Sequence, residues 1–301
     1  MSKFKYVPAL IITITIAVLI IVTAIIMKSV SGNTVNTTDG ESYIEALGNQ
    51  NVQAVENGIS GNVEESQMNQ GEETLEPPIE DPTVETKPLD AEGFYGSNQA
   101  SYIPYTVDDK KAGSTVDMLE DGTLSTKELF KDTLFVGDSI MTGFSDFQLA
   151  NKGNVIAEVG SSLKPHLETN LDKIINYNPK YLVLHYGLNE MGIEDYYLDS
   201  FIEEYTKCLE ELKKKLPATK IIVVGCMPVK ESAVENQPRL GRVEAYNKRM
   251  REMCVKLGVA YNEDSQFFVD NAELYTKDGI HVQKKVYIMW INYLVKEMGI
   301  Y

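Results

Sequence analysis

From residue 125 to its C-terminus, the 301-residue chain reads as an α/β domain built on a mainly parallel sheet covered on both faces. Three observations lead to this. Short runs rich in β-branched and aromatic residues recur along the chain, and glycine or polar residues stop each of them. Longer stretches with apolar positions three and four residues apart separate these runs. Repeated βα units of this kind pair their strands in parallel, with helices packed on both sides. The runs predict five strands: Thr133–Val136, Val155–Val159, Tyr181–Tyr186, Lys220–Gly225 and Val259–Asn262.

The helices follow from the spacing. In Phe201–Leu216 the residues Phe201, Tyr205, Cys208, Leu209, Leu212 and Leu216 share one face. Lys213, Lys214 and Lys215 suit the negative end of that helix, and Pro217 stops it. Val243–Leu257 and Val282–Met298 read as two more helices. His166 follows Pro165 at a helix start and reads as a surface residue. His185, inside the run Leu182–Tyr186, reads as a core or strand-end histidine. Cys208, Cys226 and Cys254 each sit in an apolar pattern. They are too scattered for a disulfide framework or a zinc site and read as small buried hydrophobes. No metal or cofactor is expected.

The N-terminal third has a different character. Residues 7–27 form 21 uncharged positions dominated by Ile, Val, Leu, Ala and Thr, long enough to span a bilayer as a helix. Lys3 and Lys5 precede this span and only Lys28 follows closely, which sets the N-terminus of residues 1–28 in the cytoplasm and the remaining chain outside. A cleavable signal peptide is the rival reading, although Thr23–Lys28 offers no convincing cleavage site. Residues 29–93 have few apolar positions and no sustained period, so they are expected to be a disordered acidic linker. As a flexible chain they would span roughly 45 Å. Residues 94–124 carry Tyr95, Tyr102, Tyr105 and Met118 without clear periodicity and read as an irregular lead-in packed on the domain surface.

Between Ser29 and Glu92 there are fourteen acidic residues against Lys87 alone, which accounts for −13 of the net charge of −16. The rest of the chain is nearly neutral and has no basic stripe to neutralise phosphates, which argues against nucleic-acid binding. Nothing in the sequence fixes an oligomeric state.

Four short motifs fall at strand ends or just before the last helix: Gly137-Asp-Ser139, Glu158-Val-Gly160, Gly187-Leu-Asn189 and Asp278-Gly-Ile-His281. Gly-Asp-Ser alone also makes an ordinary turn with a helix cap, and Asp138 is expected to serve as such a cap. In a parallel sheet, however, the first three motifs meet at one edge, because each follows a strand's carboxyl end. Ser139 supplies a hydroxyl that needs a base. His281 supplies an imidazole, and Asp278 can accept a hydrogen bond from one of its ring nitrogens, leaving the other free to take the serine proton. The backbone N–H groups of Ser139 and Gly160 and the side-chain amide of Asn189 form a three-donor oxyanion hole. Losing one such donor commonly costs about 3 kcal/mol of transition-state stabilisation.

Together, Gly137-Asp-Ser-Ile140, Gly160, Gly187-Leu-Asn189 and Asp278-Gly-Ile-His281 resemble blocks I, II, III and V of the SGNH (GDSL-type) hydrolases, in order and over that domain only. The resemblance implies a flavodoxin-like three-layer α/β/α sandwich and a metal-free serine esterase or acyltransferase. Ser139 would be its nucleophile, His281 the base, Asp278 the orienting partner, and Gly160 and Asn189 oxyanion donors. Two positions depart from the family's usual pattern: Glu190 stands where an Asp usually follows the block III asparagine, and Glu158 where an Asn usually precedes the block II glycine. With the N-terminal span, the resemblance implies an extracytoplasmic esterase acting on O-acyl, especially O-acetyl, groups of cell-envelope carbohydrate. An O-acyltransferase with the same residues and a non-catalytic wall-binding domain on the same scaffold are the alternatives.

Overall fold

A computed structural model describes residues 92–96 and 98–301. The expected membrane span at residues 7–27, and all but the end of the acidic linker, lie outside the described residues. Among the described residues, no helix is long and apolar enough to cross a membrane.

Five strands form one sheet: β2 (Thr133–Gly137), β3 (Val155–Ala157), β4 (Tyr181–His185), β5 (Lys220–Val224) and β7 (Ala260–Asn262). Their order is β3-β2-β4-β5-β7, and every neighbouring pair is parallel. Counted along the sheet this is the 2-1-3-4-5 order of flavodoxin-like folds, in which ligands sit beyond the carboxyl ends where the winding reverses, here between β2 and β4. All residues of β2 and β4 are buried, as expected for strands covered on both faces. The strand β2 runs one residue past the run expected for it, to Gly137, and the other four lie within theirs, shortened by one or two residues at an end.

On one face, α4 (Leu163–Tyr177), α5 (Asp195–Lys215) and α7 (Val243–Leu257) pack side by side. On the other lie α3 (Ser139–Asp146) and α9 (Lys284–Met298). The α5 helix begins six residues before the Phe201 start read from the sequence. Leu198 already belongs to its buried face, and Asp195 in the first turn suits the positive end of the helix. The α9 helix starts at Lys284, two residues inside the expected span.

Three features of the lead-in differ from the irregular segment expected. Asp109–Glu120 forms a helix, α1, capped by the Asp108 carboxylate, which accepts the Lys111 N–H at 3.0 Å. Its buried face is short (Ala112, Thr115 and Val116) and packs against α9. Upstream, Tyr102 pairs antiparallel with Tyr261 through two backbone hydrogen bonds of 2.9 and 2.8 Å, covering the outer edge of β7. Arg251 Nε donates to the Ala100 carbonyl at 2.7 Å and holds the same stretch down. The strand β1 (Phe94–Tyr95) pairs antiparallel with β6 (Val229–Lys230) as a separate two-stranded ribbon. Asp121 and the turn after it lead into the short helix α2 (Thr126–Leu129).

Under α3 the core is aromatic. Phe135 and Phe144 stack at 3.9 Å, and Phe130, Tyr287 and Trp290 surround them with edge-on or tilted contacts. Cys226 and Cys254 are buried and Cys208 is partly buried; all three are free, as their apolar settings imply.

Helix α3 lies so close to α9 that a Cβ on Gly143 would come within 2.4 to 2.6 Å of the Tyr287 ring. The Tyr287 hydroxyl also donates to the Ile140 carbonyl at 2.8 Å, so that ring cannot move without breaking a buried bond. Gly143→Ala is therefore expected to lower unfolding stability by about 1–3 kcal/mol, the usual cost of overpacking, as read by denaturant titration.

Candidate active site

Strand β2 ends at Gly137, and the chain turns into α3 through Asp138. The Asp138 carboxylate accepts the Ile140 N–H at 3.0 Å, the helix-capping role expected of it. That carboxylate also meets His185 Nδ1 at 3.0 Å, and both side chains are buried. His185 is thus the strand-end core histidine that the sequence suggested, and it locks the cap in place. Ser139 becomes the first residue of α3, where its N–H has no acceptor within the helix.

Ser139 Oγ lies 2.8 Å from His281 Nε2, across 142 residues of sequence. His281 Nδ1 lies 2.7 Å from Asp278 Oδ2. The other Asp278 oxygen accepts from the Thr276 hydroxyl at 2.6 Å, the Ile280 N–H at 2.9 Å and the His281 N–H at 3.0 Å. Burial alone would raise the Asp278 carboxyl. The hydrogen bonds from His281, Thr276 and the two N–H groups outweigh it and hold the group well below the ordinary carboxylate range. The same Asp278 contact raises the His281 imidazole above its ordinary value against the opposing effect of burial. With a proton on Nδ1 facing Asp278, Nε2 is left as the acceptor for the Ser139 proton.

The loop after β3 carries Gly160. Its φ of +74° lies in the left-handed region that side chains rarely adopt, while the space a Cβ would fill is open. In the unliganded protein the backbone turn, rather than crowding by neighbouring protein atoms, thus demands glycine. This loop is tied to β2 by the Glu158 N–H and the Ser161 hydroxyl, both donating to the Gly137 carbonyl at 3.1 and 3.0 Å. Asn189 Nδ2 donates to the Ser161 carbonyl at 3.0 Å, which orients the amide and leaves its second N–H for another acceptor. All five residues singled out in the four motifs therefore sit on linked loops at one edge of the sheet.

Glu190 and Glu158, the two departures from the family's usual pattern, and Arg239 also shape this edge. Glu190 joins two loops, accepting the Leu163 N–H at 2.5 Å through one oxygen and the Gly187 N–H at 2.9 Å through the other. Ser162, at the start of α4, makes no side-chain cap, so Glu190 caps that helix from a neighbouring loop. Glu158, the other departure, is exposed on the Gly160 loop and contributes its backbone N–H. The guanidinium of Arg239 donates to the Leu188 carbonyl and, at 2.8 Å, to Gln237, bracing the segment that carries Asn189.

His166 corrects the expectation of a surface residue. It is buried, with Nδ1 at 2.6 Å from the Tyr186 hydroxyl, and burial lowers its pKa. The reason is the face of α4: Leu163, His166, Leu167, Asn170 and Ile174 recur at helical spacing and turn inward together. That signal was present in the sequence.

Burial pushes the Glu190 carboxyl from 4.5 up to about 7, despite its two N–H donors. Because the folded value is raised, the stability linked to this group is complete below its unfolded value and is lost as pH rises through the folded one. Glu190→Gln should therefore narrow the difference in unfolding stability between about pH 5 and about pH 8 by about 1–3 kcal/mol. Denaturant unfolding of both proteins at the two pH values checks this.

Residues 135–287 match the GDSL-like lipase/acylhydrolase family. Among solved structures, a GDSL-like lipase from Bacteroides thetaiotaomicron is 19% identical, covering 62% of this chain and 97% of its own, with a TM-score of 0.43. An acetylxylan esterase from Geobacillus stearothermophilus is 14% identical, covering 55% of this chain and 92% of its own, with a TM-score of 0.41. No curated protein matches the chain. The family match extends over half of the chain and contains Ser139, Gly160, Asn189, Asp278 and His281, and by it the chain belongs to the GDSL-like lipase/acylhydrolase family.

Proposed function

We propose that the chain is an extracytoplasmic serine esterase that removes O-acyl groups, above all O-acetyl groups, from cell-envelope carbohydrate. The observation that carries the reading is the unbroken line from Ser139 Oγ to His281 Nε2, and from Nδ1 to Asp278, with contacts of 2.8 and 2.7 Å. In this mechanism His281 Nε2 takes the Ser139 proton while Oγ attacks the ester carbonyl carbon. The carbonyl oxygen gains a negative charge, to which the N–H groups of Ser139 and Gly160 and the free N–H of Asn189 donate hydrogen bonds. Collapse breaks the bond to the sugar oxygen, which leaves with the proton held by His281. Water then attacks the acyl-serine carbonyl, giving a proton to His281; collapse breaks the bond to Ser139 Oγ, which takes that proton from His281 as the carboxylic acid leaves.

Asp278 keeps His281 in the useful tautomer and balances the imidazolium that forms between the two steps. The His281 and Asp278 side chains are 39% and 45% exposed, which leaves the pair open to the attacking water. No metal or cofactor enters any step. The carbohydrate setting and the location outside the cell rest on residues 7–27, read as an uncleaved bilayer anchor, and on the acidic spacer of residues 29–93 behind them. They place residues 125–301 as a tethered hydrolase domain facing envelope polymers.

Ser139→Ala should reduce hydrolysis of small acetyl esters and acetylated glycans by at least about 10³-fold. A variant with undiminished turnover would overturn the mechanism. The rate should also report on the imidazole. Since Asp278 raises the His281 pKa, kcat/KM should rise with pH through a value above the ordinary 6.5. Asp278→Asn should move that limb back towards about 6.5 and cut kcat by about 10²–10⁴-fold, as measured by a pH–rate profile with 4-nitrophenyl acetate.

A further inference from the structure

The family match begins at residue 135, yet a segment some forty residues upstream reaches the loop that carries Asp278 and His281. The link is β6. One edge of this two-residue strand pairs with β1, in the register Phe94 to Lys230 and Tyr95 to Val229, and the Glu231 N–H extends the ribbon by donating to the Gly93 carbonyl at 2.8 Å. Successive N–H groups of a strand point to opposite edges, so that of Lys230 faces away from β1. It donates to the Gly279 carbonyl at 2.9 Å. Gly279 lies between Asp278 and Ile280, is buried and has a φ of +71°. A Cβ there would stand 2.9 Å from the Lys230 Cβ and 3.1 Å from the Ser232 hydroxyl, so this side of the loop rests directly on β6 and the helix α6 (Glu231–Asn236) that follows.

A second path runs through a side chain. The Phe94 ring meets Tyr275 edge-on at 5.4 Å. Tyr275 is buried, bridges to Val282 across the base of the loop, and donates its hydroxyl to the Pro228 carbonyl at 2.7 Å, one residue before β6. The Thr276 N–H donates to the His281 carbonyl at 2.8 Å, closing the loop just inside that bridge. Both paths therefore begin at residues 93–95 and end on the loop that carries the acid–base pair, one at Gly279 within it and the other at Tyr275 at its base. A two-stranded ribbon this short has little stability of its own, so β6 depends on β1 and the core for its position.

We propose that Phe94 and Tyr95 are positioning residues for the Asp278–His281 loop, holding its imidazole in register with Ser139 from outside residues 135–287, the stretch that matches the family. The inference rests on the esterase reading only for its kinetic arm. A misplacement of about 1 Å in a reacting group can cost about 100-fold in rate, so even a small settling of this loop would register in turnover.

The test uses the full chain carrying Phe94→Ala, and separately Phe94→Ala with Tyr95→Pro, which removes an N–H from the ribbon. Turnover of 4-nitrophenyl acetate should show kcat lowered about tenfold or more with KM unchanged, and Phe94→Tyr should restore most of it. The chain has three histidines, so the imidazole titration of His281 can be followed by NMR whether or not the protein turns over an ester. In the variants that titration should move down towards the ordinary histidine value, because the Asp278 contact loosens. Unchanged kcat together with an unchanged His281 titration, in folded Phe94→Ala protein, would overturn the proposal. If the unaltered protein hydrolyses no ester, the proposed function fails, while the NMR titration still decides the positioning role. If the double variant does not fold, the single one decides.

Discussion

The constraint on which the rest depends is the parallel pairing of β2 with β4, which sets Gly137 beside His185. Gly137 comes so close to the neighbouring strand that a Cβ on it would lie 2.3 Å from the His185 carbonyl oxygen. This contact makes the two strands end together, so Ser139 and the Gly187–Asn189 segment leave the sheet at the same height. The winding reverses between these strands, the place where open α/β sheets hold their ligands. The buried Asp138–His185 contact joins the same two strand ends from below and fixes the start of α3.

Around these strand ends the protein uses carbonyl and carboxylate acceptors as fasteners between loops. The Gly137 carbonyl takes two donors from the Gly160 loop, the Ser161 carbonyl takes Asn189, and Glu190 takes one N–H from each of two segments. Donors proposed to serve the reaction are thereby oriented by bonds they make elsewhere, the arrangement a pre-organised site requires. The Asp278–His281 loop is held differently. It closes on itself through Thr276 and leans on β6, an element outside the main sheet.

The main sheet was legible in the sequence because fully buried parallel strands are continuous apolar runs, and Thr133–Val136 or Lys220–Gly225 admit few other readings. The motifs were legible because their chemistry is spelled in adjacent residues. What escaped depends on pairings that no short window contains. The strands β1 and β6 are two residues each and exist only through each other. The face of α1 is three small or β-branched residues, too brief to register as a period, although Asp108 ahead of Lys110 and Lys111 offered a capping signal. His166 was misread because a polar residue behind a proline suggests exposure, whereas Pro165 occupies the first turn of α4, where no N–H is needed, and lets the helix turn its neighbour inward. Glu190 looked like a departure from pattern. Its longer side chain spans to the Leu163 and Gly187 amides.

The backbone pairing of Tyr102 with Tyr261 has a consequence for how neighbouring molecules meet. An open sheet invites a second chain to add a strand at either margin. Here one margin is β3, only three residues long, and the other is β7, already occupied by the protein's own upstream segment. Among the described residues, copies of this fold held at high local density therefore offer one another no long free strand at the margins of the main sheet.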